Sequence, residues 1–231
     1  MKKFNQNIAL SLGGSIVVPG EIQVEFLKKF KSFVLKNIKA GRRFIIVVGG
    51  GKTCRNYIKA AAKVSNISDE DRDWIGIHAT RLNAHLIRTI FKKIAYPVVL
   101  VNPLKQIEKG EYPLFIGSGW RPGWSTDYDT VLLANRFNAD KVINVSNIDY
   151  VYDKDIAKYK NAKPIRDMCW SEYQKLIGSK WKPGMSAPVD PIAAKLASKL
   201  RMTIIVTKGT DLKNLQNILD NKKFKGTILH S

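Results

Sequence analysis

IIVVGGGKTCRNYI, residues 45–58, runs from a β-branched apolar segment through three glycines into a stretch with helical spacing. Short apolar runs of this kind suit buried parallel strands, and glycine at the strand end permits positive φ and close approach of a ligand to the backbone. The N–H groups that open the following helix attract anions. Two more strand ends carry the same kind of turn: Gly13-Gly14-Ser15 after the apolar run 8–12, and GSGWRPG at 117–123. One such loop is a weak signal with a purely structural alternative, a tight strand-to-helix turn. Three on one sheet edge predict a site for several phosphates.

Working outward, the chain alternates strands and helices. Strands are expected at 8–12, 44–48, 97–101, 113–116, 141–145, 203–206 and 226–229, with a hairpin near 150–153. Val24, Leu27, Phe30, Phe33, Val34 and Ile38 recur at helical spacing, and 53–64 reads as a second helix. Ser68 and Asp71 form a capping-box pattern before Trp74, Ile77, Leu82, Leu86 and Ile90. Further helices are expected through Val131, Leu132 and Phe137, from Asp190-Pro191, whose acid and proline suit a helix start, and at 212–219. Such alternation predicts an α/β sandwich with a mainly parallel sheet and ligands at the carboxyl ends of its strands.

Composition sets the bounds. A chain of 231 residues, 45% hydrophobic, can bury a large core in one domain or one compact two-lobed unit. The start, MKKFNQNIALSLGGSIVV, resembles a signal peptide only superficially, because polar residues and Gly13-Gly14-Ser15 break the apolar run. No segment is apolar and long enough to cross a bilayer, and Cys54 and Cys169 stand far apart without a CxxC pattern. Neither a disulfide framework nor a zinc site is indicated, and a cytoplasmic setting is expected. The net charge of +20 is the extreme value. Its lysines are scattered along helix faces, so a solvated basic surface or a field for anionic small substrates ranks ahead of a nucleic-acid partner.

Known phosphate-binding patterns fail on the letters. A Walker A loop requires glycine where Ile46 stands, and the dinucleotide fingerprint fails at Cys54. Lys52 and Arg55, in the first turn after the glycines, could reach a phosphate held by backbone amides; each reads also as an ordinary surface charge. Asp127 and Asp129 sit where the helix dipole alone favours acids. Lys195, one turn past the Asp190 cap, is equally ambiguous. His78 and His85 read as packing or interface residues, since nothing pairs with them.

Taken together, these residues resemble the UMP kinases of the amino acid kinase superfamily, in particular the archaeal type. The resemblance is carried nearly end to end by LSLGGSIVVP (10–19), VVGGGKTCRNYI (47–58), DWIGIHATRLNA (73–84), GWRPGWSTDYD (119–129), NVSNIDYVYDKD (144–155) and DPIAAKLA (190–197). It implies a three-layer αβα sandwich with a mainly parallel central sheet, built as one amino acid kinase domain. Within it, an acceptor-binding half spans about 1–135 and an ATP-binding half about 136–231. It implies ATP-dependent phosphorylation of UMP to UDP in pyrimidine nucleotide biosynthesis, Mg²⁺ accompanying ATP, no metal ligands of the chain's own, and a homo-oligomer, a hexamer made of dimers.

Residue by residue, the resemblance assigns Ser11, Leu12, Gly13, Gly14 and Ser15 to the ATP phosphates, with Gly51 and Arg55 also facing ATP. It assigns Gly50 to UMP, Asp73 to the UMP ribose, and Trp120, Arg121, Pro122, Gly123, Trp124, Ser125 and Thr126 to the uracil and phosphate. Ser146, Asn147, Tyr152 and Asp155 would line the ATP base and ribose. Ser11 stands where many members carry lysine, which makes Lys52 and Lys195 the candidate catalytic cations, with Asp127 beside them. Tyr150 replaces a glycine near the ATP base, and Trp120, Arg121 and Trp124 are bulkier than usual in their loop. Other members of the superfamily acting on a different small molecule, and a non-catalytic nucleotide- or oxyanion-binding protein, are the alternatives. Phosphoryl transfer to an anionic phosphate needs placement and charge neutralisation rather than a strong general base, so the lack of a nucleophile triad is no obstacle.

Overall fold

The computed structural model describes residues 4–107, 110–156, 158–178 and 187–231. In chain order its elements are β1 (Gln6–Leu12), α1 (Gly14–Val17), α2 (Val24–Lys39), β2 (Arg42–Val48), α3 (Gly51–Val64), α4 (Asp69–Ile90), β3 (Leu114–Gly117), α5 (Thr126–Arg136) and β4 (Lys141–Ser146). There follow β5 (Val151–Tyr152), β6 (Pro164–Ile165), β7 (Asp167–Cys169), α6 (Trp170–Ile177), α7 (Pro191–Lys199), β8 (Thr203–Lys208), α8 (Leu212–Leu219) and β9 (Thr227–His230). The main sheet runs β3-β2-β1-β4-β8-β9-β7, and β5 with β6 forms a separate antiparallel pair. All main-sheet neighbours are parallel except β8 with β9. Strand order reverses between β1 and β4, which opens a crevice at their carboxyl ends, where ligands of such sheets bind.

Alternation along the strands builds two cores. Ile8, Leu10 and Leu12 of β1, with Phe44, Ile46 and Val48 of β2, pack against Phe30, Phe33 and Val34 of α2, Ile87 of α4 and Leu215 of α8. On the opposite face Ala9 and Val142 meet Val131 of α5, Trp170 and Tyr173 of α6, and Ala193, Ala194 and Ala197 of α7. The three alanines let α7 pack closely on α5 and α6 and leave room for the large rings of α6. The indole N–H of Trp170 donates to the Met202 carbonyl at 3.1 Å, so the buried ring leaves no polar atom unmatched.

The helix-start signals behave as expected. Ser68 accepts the Asp71 N–H while Asp71 accepts the Ser68 N–H, closing the capping box. Asp190 caps α7 through the N–H groups of Ile192 and Ala193. Residues 97–101 are a correction: no strand forms there, only isolated bridges at Ala95 and Leu100 to β3. Pro97 lies between those two contacts, with φ fixed by its ring and no N–H to give, and breaks the ladder. The short α1 and β7, and the helix α6, were not expected.

The turns after β1 and β2 interlock. A Cβ on Gly14 would lie 2.0 Å from the Gly51 nitrogen, and a Cβ on Gly51, whose φ is +65°, would lie 2.4 Å from the Gly14 carbonyl oxygen. Gly20, on the neighbouring loop, has open space around its Cβ position. Gly14→Ala is therefore expected to cost ~3 kcal/mol or more, because backbone rather than a movable side chain must yield. Gly20→Ala should change stability by less than about 0.5 kcal/mol. Chemical unfolding of both variants checks this, and equal midpoints would contradict it.

Candidate active site

Strand parity assembles the centre of the crevice. Ser11 and Asn144 are register partners on β1 and β4, and each stands two residues beyond a member of the core facing α5 and α7, Ala9 and Val142, so it shares that face. Both therefore meet the first turn of α5, where Asp127 Oδ1 accepts the Ser11 hydroxyl at 2.7 Å and the Asn144 amide at 3.0 Å. Asn144 also donates to the Pro188 carbonyl at 2.8 Å, tying the segment before α7 to the same point. The caps of α5 and α7 are joined: Ser125 Oγ accepts the Tyr128 N–H and donates to Asp190 Oδ2 in a short hydrogen bond.

The glycine turns form one backbone-lined floor. The Gly13 N–H donates to the Val145 carbonyl and the Gly49 N–H to the Leu12 carbonyl, both at 2.9 Å. Leu12 itself is buried in the core, so only its backbone reaches the crevice. From α4, buried Asn83 donates to the carbonyls of Gly49 at 2.8 Å and Gly50 at 3.2 Å. With these carbonyls engaged on the helix side, the N–H groups opening α3 are left for an anion. Lys52 is an exception for its backbone, which donates to Val18, but its side chain is exposed, as are those of Arg55 and Lys195. None of the three forms an ion pair among the described residues.

The loop 118–125 is gripped from two sides. Thr80 of α4 accepts the Gly119 N–H at 2.9 Å, Arg81 donates to the Trp120 carbonyl at 3.0 Å, and Asp73 Oδ2 accepts the Gly123 N–H at 2.8 Å. From α5, Asp129 Oδ2 accepts the Trp120 N–H at 3.2 Å. Gly123 adopts φ +80°, the left-handed region the turn after Pro122 requires. Trp120 and Trp124 meet edge to face with centroids 4.8 Å apart, Trp124 meets Tyr128 at 4.3 Å, and the Arg121 guanidinium lies over both indoles. Thr126 opens α5 directly behind this loop.

On the other flank, Ser146 at the end of β4 receives the Gly209 N–H on its carbonyl and the Ile148 N–H on its hydroxyl. Asn147 is exposed, Tyr152 sits half-buried in β5, and the Asp155 carbonyl ends a turn by accepting from Lys158 and Tyr159. Tyr152 and Tyr150 meet edge to face. The glycine turns singled out in the sequence thus lie together at the carboxyl ends of β1, β2 and β3. Asn83, Thr80, Arg81, Asn144 and Asp190, which hold the loops in place, were not singled out as site residues, since each lies mid-element or in a cap, without a glycine to flag it.

Carboxyl groups gathered away from water change their acidity. Burial, then the nearby Asp190 charge, pushes Asp127 up to about 7, although the Ser11 hydrogen bond works the other way. Burial likewise raises Asp190 and the less buried Asp73. The folded state thus keeps a proton on Asp127 that the unfolded chain releases near 3.8, so Asp127's contribution to the unfolding free energy falls as pH rises from about 4 to about 7 and then levels. Asp127→Asn should flatten this decline by about 2 kcal/mol, a value discounted for the solvent that reaches Asp127. Denaturant unfolding at pH 4.5 and 8 checks it, as rough brackets of that window; parallel declines in variant and wild type would contradict it.

Comparison with known proteins agrees with this geometry. The model of the amino acid kinase family matches residues 7–208. The uridylate kinase of Pyrococcus abyssi is 34% identical over 225 residues, covering 96% of this chain and 98% of the relative. That of Methanocaldococcus jannaschii is 35% identical over 231 residues, with the same coverage. Among solved structures, the uridylate kinase from Archaeoglobus fulgidus superposes with a TM-score of 0.80 at 30% identity, covering 97% of this chain and 99% of that one. The UMP kinase from Bacillus anthracis, at TM-score 0.79 and 19% identity over 97% and 96% of the chains, shares the fold. The chain belongs to the amino acid kinase family, in its archaeal-type uridylate kinase branch.

Proposed function

We propose that the chain transfers the γ-phosphoryl of ATP to UMP, forming UDP for pyrimidine nucleotide synthesis. The observation that carries this is the single floor made by the two interlocked glycine turns, flanked by a gripped loop on one side and the end of β4 on the other. Two phosphate chains laid on one such floor would face each other in line. The curated relatives with the same end-to-end match are uridylate kinases.

In this mechanism ATP lies over 11–15 and toward Ser146, Asn147, Tyr152 and Asp155, and UMP lies between Gly50, Asp73 and the loop 120–126. The chain is thus divided into an acceptor half and an ATP half that share β1 and β4. Asp73 holds Gly123 with one oxygen and keeps the other for a ribose hydroxyl. Arg55, Lys52 and Lys195 supply positive charge that Ser11 cannot. Asp127 acts by orienting Ser11 and Asn144. The acceptor phosphate oxygen is already anionic, so these groups contribute positioning and charge neutralisation. Mg²⁺ enters as part of the substrate Mg·ATP: no acidic cluster suited to a metal exists among the described residues, and Mg²⁺ is commonly held through substrate phosphates.

A homo-oligomer in the cytoplasm, a hexamer made of dimers, completes the proposal. Its support is an exposed apolar face on α3 and α4, where Tyr57, Val64, Trp74 and Leu82 meet solvent, and the lack of any helix among the described residues long and apolar enough to span a membrane. The Arg121 and indole stack favours a second reading of the acceptor alone, a base other than uracil, because stacking accepts any aromatic face.

A panel of nucleoside monophosphates with Mg·ATP, assayed for ADP and the matching diphosphate, decides between these readings. UDP formation with the highest kcat/KM for UMP is expected, and ADP release without any diphosphate would contradict it. Asp73→Ala should raise KM for UMP about tenfold with less effect on ATP, from loss of a charged hydrogen bond. Arg55→Ala should lower kcat/KM for ATP by about tenfold or more through lost phosphate contact. An unchanged acceptor KM in the Asp73 variant would remove it from the ribose site.

A further inference from the structure

The loop 118–125 rests on a carboxyl group that the mechanism above does not use. Asp129 is 0% exposed, and Oδ2 accepts the Trp120 N–H, while Oδ1 is buried with no hydrogen-bond partner. The next peptide, through the Trp120 carbonyl, is held by Arg81 of α4, whose Nε is likewise buried and unmatched. The two peptide groups flanking the Trp120 Cα are therefore pinned between two helices, one by a carboxyl and the other by a guanidinium, and each of those side chains keeps one unsatisfied atom. The next residue is Arg121, stacked on Trp120 and Trp124.

We propose that Asp129 is the positioning residue of this loop: in its neutral form it holds the Trp120 peptide so that Arg121 and Trp124 face the acceptor, and its ionisation releases them. The inference rests on the acceptor role given to the loop above. Geometry supports it first, because an ionised carboxylate with one dry, unpartnered oxygen is costly to keep and is relieved by letting water in. The loop is the side that can yield, since α5 is fixed to the sheet by Val131, Leu133 and Ala134.

The charges around Asp129 fit this role. Arg121 from the loop favours ionisation but forms no ion pair with it among the described residues, while Asp190 at the α7 cap opposes ionisation. Arg81 of α4 grips the Trp120 carbonyl, in the following peptide, and Asp127 lies two residues earlier in α5. The buried stretches of β1, β2 and β4 beneath α5 offer only apolar or neutral polar side chains. Burial outweighs the rest and raises the group to about 8, so the proton is present at neutral pH and leaves just above it. Acceptor binding should weaken as pH rises through that value.

Two readouts test the proposal. In steady-state kinetics, wild-type KM for UMP should rise about tenfold between pH 7 and 9, with KM for ATP and kcat changing about twofold or less. Asp129→Asn, which can still accept the Trp120 N–H but cannot ionise, should show no such rise, and Asp129→Ala should have a raised UMP KM at every pH. Without substrate, tryptophan fluorescence of the full chain should titrate near the same pH in wild type and not in Asp129→Asn. A fluorescence titration unchanged in Asp129→Asn overturns the proposal whatever the substrate is. A protein that shows the fluorescence difference but makes no UDP keeps the loop device and refutes the acceptor assignment. If Asp129→Asn matches the alanine variant in UMP KM, or if ATP KM moves in step with UMP KM, Asp129 is a general structural residue and the proposal fails.

Discussion

The contact on which the rest depends is backbone against backbone, where the turn after β1 meets the turn after β2. No side chain fits between Gly14 and Gly51, so both turns occupy one place and move as one body. The neighbouring strands β1 and β2 are locked in parallel register over seven pairs, which carries that rigidity into the sheet. Asn83 then takes the carbonyls of Gly49 and Gly50 from below, which fixes the orientation of the peptide dipoles above. Such a floor offers donors without a side chain to reorder, the form of preorganisation that phosphoryl transfer benefits from most.

Around that floor the charges are arranged in opposition. Carboxyl groups of Asp127, Asp129 and Asp190 are drawn in under the helix starts, where they tie α5, α7 and the central strands together and hold protons more tightly than in water. Cations are left outside: the side chains of Lys52, Arg55 and Lys195 are all exposed. Ser11, lacking charge, is one of the ties rather than one of the cations. In the proposed mechanism positive charge would reach the phosphates from these exposed side chains, while positioning would come from the buried network. The strong net charge of +20 supplies a field of the matching sign for anionic nucleotides.

Much of this was legible before any coordinates. Glycines at three strand ends marked the edge of the sheet, because only glycine allows the approach seen at Gly14 and the φ of Gly51 and Gly123. Ser68 and Asp190 announced their helices, since a cap is a local matter of one side chain and two or three amides. Residues 97–101 misled because apolarity signals burial, while a ladder needs donors at regular intervals, which Pro97 interrupts. The short β7 and α1 leave too few residues for a period to show. Asp129 looked like an acid placed for the helix dipole; its burial and its hold on Trp120 arise from a contact with a loop nine positions away. Asn83 and Asn144 were silent for the same reason, as their partners lie on other elements.

The structure of the chain bound to UMP and a non-hydrolysable ATP analogue tests the central claim most directly. The account predicts the two terminal phosphates opposed across the floor formed by Gly13, Gly14, Gly50 and Gly51, with the acceptor base under the loop 120–126. Nucleotides bound instead in the polar cavity at the amino end of the sheet, lined by Asn5, Lys36, Arg42 and Asp220, with the glycine floor empty, would contradict it.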